Sequence, residues 1–275
     1  MKEGYLLSFF SSGFASHVRG KAIDIGSVDI DVFYSPVDGV VESVEVVEIG
    51  RPNRRAERSY DVVTLIRTRE SLVKVLHVEP IKVRGDTVRR GERLGYFIST
   101  PYSGGDIPHA HLEGLRVVIP KVTKPEGGDD AVVIRRSTYY LDLEVTQPAW
   151  AGKLTGVPCS GGLLNGSIPW ACYGGVVGVK LRKGEVNCLG VRLGEVKVAK
   201  PRYSLFEMRR GVLRNWEKDA SFKVLSNKPV CGRRALMEFV LGYGRNPVVR
   251  LYRRLGLKEG DSVSLSEILR EYSSY

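Results

Sequence analysis

Long apolar runs are missing from this chain. The longest near the start, Tyr5-Leu6-Leu7-Ser8-Phe9-Phe10, is too short for the core of a secretion signal, and no small-residue cleavage site of conviction follows it. Neither export by that route nor a transmembrane helix is expected, so the expected location is the cytoplasm. Cysteine is absent from the first half. Cys159, Cys172, Cys188 and Cys231 all lie beyond it, and no two have C-x-x-C spacing. That pattern argues against a thiolate-built structural zinc site and for buried thiols, with a disulfide from Cys159 to Cys172 or Cys188 left open. Glutamine is represented by Gln147 alone while Lys, Arg and Glu abound, a bias found in hyperthermophile proteins. Low-complexity tracts are missing too. With 275 residues and 43% of them apolar, the chain reads as globular throughout and long enough for two domains.

Helical periodicity is likewise missing from residues 3 to 118. That stretch reads as short strands punctuated by Gly, Pro, Asn and Asp: Tyr5 to Phe9, Lys21 to Ile25, Val40 to Val47, Tyr60 to Arg67, Val73 to Val78, Arg93 to Phe97 and His111 to Val118. Strands so closely spaced predict a compact antiparallel β-domain over residues 1–118. The Arg-rich tract Gly50 to Arg58 reads as an exposed hairpin loop. A linker is expected at 119–130, where Lys-Pro-Glu-Gly-Gly-Asp-Asp has turn chemistry.

Beyond it, residues 131–275 read as an α+β region. Ala131 to Arg135 and Tyr139 to Val145 alternate like strands, and a glycine-rich stretch runs from Ala151 to Gly178, with Gly161-Gly162 and Gly174-Gly175 flanking Trp170 and Tyr173. Helices are expected over Gly232 to Leu241 and, after an Asn246-Pro247 start, over Val248 to Leu255 with Gly256 as the stop. Ser264-x-x-Glu267 is a capping box for a final helix. Residues 200 to 255 hold 14 Lys or Arg against 4 Asp or Glu, a net +10 of the chain's +11. Such a face suits an anionic partner such as nucleic acid, lipid or an acidic polymer, or it is simply solvated.

Histidine is scarce, and its four copies are the most informative residues. Ile107-Pro108-His109-Ala110-His111-Leu112-Glu113 places two imidazoles two apart in a strand-like segment, where both rings face one side. His17 stands in Ser16-His17-Val18-Arg19-Gly20-Lys21-Ala22-Ile23-Asp24-Ile25, and His77 in the apolar run Val73 to Val78. A catalytic zinc takes three protein ligands and keeps a position for water. His17, Asp24 and one histidine of the pair supply such a set and leave two imidazoles for proton transfer.

This order, His…Asp, then Leu-His in a strand, then Pro-His-x-His-Leu-Glu, resembles the lysostaphin-type (LytM-like) zinc endopeptidases. Tyr34-Ser35-Pro36-Val37-Asp38-Gly39-Val40-Val41 resembles that family's hairpin, and Val83 to Gly95 its glycine-punctuated segment; the resemblance covers about residues 1 to 118. It implies a duplicated-hybrid, barrel-sandwich-like β-fold and one zinc ion per chain held by His17, Asp24 and His111. It implies catalysis by His77 and His109, and hydrolysis of a peptide or peptide-crosslinked polymer. Glu113, on the strand face of His111, would orient that ligand. Six residues separate His17 from Asp24 where the family has three. Asp29 and Asp31 therefore stand as alternatives, with Asp24 favoured because Gly20 can loop the extra residues out.

Two other classes share these features. The Ser35 to Gly39 hairpin is similar to that of biotinyl/lipoyl carriers and of the glucose-specific phosphotransferase carrier, but no lysine sits at a hairpin tip suited to lipoylation or biotinylation. A metal-binding, non-hydrolytic relative whose second half blocks the cleft is the remaining alternative.

Overall fold

A computed structural model of the chain describes residues 2–11, 15–51, 53, 55–168, 173–208, 237–252 and 256–273. Its first half comprises β1 (Tyr5–Ser8), helical turn α1 (Ala15–Val18), β2 (Ala22–Gly26), β3 (Val32–Tyr34), β4 (Gly39–Glu48), β5 (Tyr60–Arg67), β6 (Leu72–Leu76), β7 (Val78–Pro80), β8 (Thr87–Val88), β9 (Arg93–Phe97) and β10 (His109–Glu113). The second comprises β11 (Asp130–Arg136), β12 (Leu141–Val145), β13 (Ala149–Ala151), β14 (Leu154–Cys159), β15 (Gly162–Ile168), β16 (Tyr173–Val177), β17 (Glu185–Cys188), β18 (Val191–Lys200) and β19 (Tyr203–Glu207). It closes with β20 (Met237–Tyr243), β21 (Val248–Leu251), β22 (Ser262–Ser264) and helix α2 (Leu265–Ser273).

The fold is mainly β and antiparallel, as expected, but the sheets do not close into a barrel. Neighbouring strands follow the path β8, β4, β5, β6, β10, β2, β1, β20, β21, β12, β11, β22. A smaller sheet of β3, β9 and β7 packs beside the first part. Within the described residues no helix is long and apolar enough to cross a membrane.

The strands expected before residue 118 are present, with two differences. The Val73 to Val78 strand breaks at His77, whose φ of 64° is left-handed and cannot continue a ladder. The last strand starts at His109 and ends at Glu113 rather than running from His111 to Val118.

Two of the helices expected in the C-terminal part need correction. The helix over Gly232 to Leu241 lies outside the described residues up to 236, and from Met237 the chain is strand β20. Val248 to Leu251 is strand β21, not helix, and 253–255 lie outside the described residues. Tertiary context overrides the helical spacing here. Phe239-Val240-Leu241 and Val248-Val249 are apolar runs rich in β-branched and aromatic residues, flanked by strands on both sides, where every residue is buried. The capping box at Ser264 does start the final helix, its Oγ accepting the Glu267 N–H at 3.3 Å. The glycine-rich stretch supplies strands β15 and β16, and the ring of Phe10 lies where a side chain at Gly175 would go. Trp170, Cys172 and Cys231 lie outside the described residues; Cys159 and Cys188 are buried free thiols.

Both sides of the expected linker enter one sheet and one core. β1 pairs with β20 through Tyr5–Tyr243, Leu6–Gly242 and Leu7–Leu241. The larger core joins Tyr5, Phe9, Phe10, Ile25 and Leu112 to Ala149, Leu163, Tyr173 and Leu205. Asn165 pins this junction: its Oδ1 accepts the N–H groups of Phe9 (2.7 Å) and Phe10 (2.9 Å), and its Nδ2 donates to the Phe239 carbonyl at 2.8 Å. Asn165→Ala would leave three buried backbone groups unsatisfied. It is expected to destabilise the protein by about 3 kcal/mol in denaturant unfolding, at 1–3 kcal/mol for each such group with partial relaxation. A loss below about 0.5 kcal/mol would show that water replaces the amide.

Candidate metal centre

Three elements converge on one point. β2 lies between β1 and β10, and its register sets Asp24 directly opposite His111. Paired residues of an antiparallel ladder share a face, so the carboxylate and the imidazole meet without help from any loop. His17 arrives from α1. There Gly20, at φ 65°, returns its N–H to the His17 carbonyl at 2.9 Å and turns the chain into β2. A helical turn and a left-handed glycine thus absorb the six residues between His17 and Asp24. Asp29 and Asp31 are not brought here: Asp29 is a surface residue ion-paired with Arg245, and Asp31 is exposed.

The donor atoms form a near-equilateral triangle. His17 Nε2 lies 3.1 Å from Asp24 Oδ1 and 3.0 Å from His111 Nδ1, and the last two are 2.9 Å apart. All three residues are buried, at 0%, 6% and 1% exposure.

The groups behind these atoms fix their protonation. His17 Nδ1 lies 2.7 Å from the Phe9 carbonyl, which only accepts, so Nδ1 carries the hydrogen and Nε2 has a bare lone pair in the neutral ring. His111 Nε2 lies 3.1 Å from Glu113 Oε1. The hydrogen bond from His111 holds Glu113 down to about 2, against a smaller upward push from burial, and Lys74 assists at 2.8 Å. Glu113 is thus an ionised acceptor, and neutral His111 presents its Nδ1 lone pair to the triangle.

Two bare nitrogens and a carboxylate oxygen at such separations repel unless a cation sits among them. In the metal-free protein that cation is a proton. Burial pushes the His111 imidazolium down, yet hydrogen bonds to Asp24 and Glu113 outweigh it and raise its pKa to about 9. Burial likewise pushes Asp24 up, but the neighbouring histidines hold it well below the usual carboxylate range.

Zinc fits the same point. With bonds of about 2.0–2.1 Å, a tetrahedral zinc spaces its donors by about 3.3 Å, a few tenths of an ångström wider than the triangle. The donor set, two imidazoles and one carboxylate each oriented from behind, matches the ion's preferences.

The remaining histidines border this cluster. The ring centroids of His77 and His109 are 5.3 Å apart, and His77 is 6.1 Å from His111. His109 Nδ1 is 2.7 Å from the Ile107 carbonyl, so its Nε2 is the bare nitrogen, and burial first, then His77, lowers its pKa to about 4. Asp61, which sequence reasoning missed, holds His77: Oδ1 accepts the backbone N–H at 3.0 Å, and Oδ2 lies 2.8 Å from Nδ1, which also meets Thr100 Oγ1 at 3.3 Å. These contacts support the left-handed backbone at His77, a conformation that costs about 1–3 kcal/mol. Asp61 could have been found as the one acid in the apolar alternation of Tyr60 to Arg67.

Comparison with known proteins adds one finding. Residues 1–127 match the model of a domain of unknown function, the DUF8155 N-terminal domain. All four histidines, Asp24, Asp61 and Glu113 lie within the DUF8155 match, which stops before β11. No curated protein matches the chain.

Two outcomes follow from the geometry. Asp24→Ala is expected to abolish stoichiometric zinc uptake in an equilibrium dialysis assay, while Asp29→Ala and Asp31→Ala keep it; the reverse pattern would move the ligand. The second concerns pH. His111 rises from 6.5 to about 9 on folding, so its proton stabilises the metal-free fold fully below pH 6.5, and that contribution is lost as pH rises through 9. A metal must displace this proton. Calorimetry in buffers of different ionisation enthalpy should therefore report at least one proton released per metal at pH 7. No release at pH 7 would contradict the protonation scheme.

Proposed function

We propose that this chain is a zinc-dependent endopeptidase acting through water, with His17, Asp24 and His111 holding the ion. The observation that carries this reading is the convergence of three lone pairs whose orientation is enforced from behind by Phe9 and Glu113. The reaction class rests on the resemblance of the His17, Asp24, His77 and Pro108-His109-Ala110-His111 pattern to lysostaphin-type peptidases. When bound, zinc supplies a Lewis acid for a carbonyl and acidifies water toward neutral pH.

The protein's own groups do the rest. His77, locked by Asp61, and His109, locked by the Ile107 carbonyl, each offer Nε2 as a hydrogen-bond acceptor and proton carrier. One accepts the proton of the attacking water at Nε2; in its protonated form it donates to the carbonyl oxygen or the leaving amine. Substrates are peptides or peptide-crosslinked polymers. The lysine and arginine excess over residues 200–255 supports an anionic partner, although residues 209–236 lie outside the described part.

A second reading, a metal-binding but non-hydrolytic interaction module, is favoured by burial. The pocket beside Asp24 and His109 has room for about one water molecule (10 Å³) among the described residues, and β20 forms one of its walls. The test separates the two readings. Zinc-loaded protein should cleave members of a peptide library, glycine-rich ones first. His77→Ala and His109→Ala should keep zinc yet each lose about a hundredfold in rate. Binding without cleavage would favour the module, and cleavage with both histidines replaced would remove their roles.

A further inference from the structure

The pocket at the metal centre is built by both halves of the chain. Leu6, Ser8, Asp24, Ile107 and His109 line one side, and Glu238 with Val240 lines the other. Along β20 the side chains alternate. Met237, Phe239 and Leu241 enter the hydrophobic cores, so Glu238 and Val240 face the opposite way, where Val240 packs on Leu6 and Ile107. Glu238 is 4% exposed and shares its sheet face with its ladder partners Ser167 and Arg250, which are buried too. A carboxylate at such a site is costly unless it is held. Tyr252 holds it, its hydroxyl donating to Oε2 at 2.5 Å, and the same hydroxyl lies 3.5 Å from Asp106 Oδ1. Tyr252 sits just after β21, which pairs with β20 at Glu238–Arg250. Arg250 in turn is fixed by the buried Asp142, at 2.7 Å and 2.8 Å. A buried polar network keeps this acid in the lining of the pocket that shares Asp24 with the donor triangle.

We infer that Glu238 is a residue of the metal site, accepting a hydrogen bond from the neutral ligand in the pocket beside Asp24 and excluding small anions from that place. The inference rests on the metal centre proposed above. A water-sized ligand that donates hydrogen bonds fits both the room and the acceptors there. An anion would meet two carboxylates, Asp24 and Glu238, in a setting where little solvent screens them. The second half of the chain thereby contributes to the ligand preference of a centre whose donors all come from the first half.

Cobalt(II) provides the test, because it takes ligand sets suited to zinc and its visible spectrum reports the ligand in the open position. The full chain, loaded with cobalt, is titrated with azide. Wild type is expected to bind azide weakly. Glu238→Gln, close to it in size but uncharged, should bind azide about tenfold more tightly or better. Glu238→Asp, which keeps the charge, should retain the wild-type affinity, a pattern that a merely structural role would not produce. If Glu238→Gln does not fold, Glu238→Met serves the same comparison. Equal azide affinity in wild type and a folded, cobalt-loaded neutral variant overturns the inference and leaves the metal centre standing. Failure of wild type to take up cobalt or zinc overturns the centre itself.

Discussion

The pairing of β2 with β10 is the constraint on which the rest of the structure depends. It sets Asp24 against His111 across one ladder, and a slip of one strand by one residue would send its member of the pair to the opposite face. Everything else at the site is arranged around that pair. α1 brings His17 to the third corner of the triangle, Glu113 backs His111 from the same strand, and the Phe9 carbonyl at the end of β1 backs His17. Three buried lone pairs facing one another cannot persist without positive charge between them. The geometry therefore carries a demand for a cation, met by a proton on His111 at neutral pH, and it is one that could hold a metal ion in the proton's place.

The same ladder ties the centre to the second half of the chain. β2 is flanked by β1, and β1 by β20, so the strand carrying Glu238 is two places from the strand carrying Asp24. Asn165 closes this arrangement by occupying the backbone N–H groups of Phe9 and Phe10 just where the Phe9 carbonyl is committed to His17. A disturbance of the junction would reach the metal site through that carbonyl. The candidate centre and the junction are thus carried by the same few strands, and the burial of the donors also narrows what can reach them.

Much of this was legible in the sequence because it depends on local rules. Alternation of β-branched residues located the strands of the first half, and the i, i+2 spacing of His109 and His111 placed both on one face. Gly20 takes a left-handed turn between α1 and β2, a conformation that suits glycine. The misses have a common cause, which is dependence on partners far along the chain. His77 leaves the ladder with a left-handed backbone because Asp61 on another strand holds it, which no local pattern reveals. The segments from Met237 and from Val248 carry apolar residues at helical spacing but are strands, because β1, β12 and β15 offer them ladders. Glu238 was invisible for the same reason: only the strand phase of β20 puts it in the lining of the pocket beside Asp24.

X-ray absorption at the zinc edge of the purified full chain tests the central claim most directly, since it reports the ligands whatever the reaction proves to be. The account predicts a four-coordinate ion with two imidazole nitrogens and two oxygens at about 2.0–2.1 Å. Sulfur scattering at about 2.3 Å, or a protein that takes up no metal while remaining folded, would contradict it.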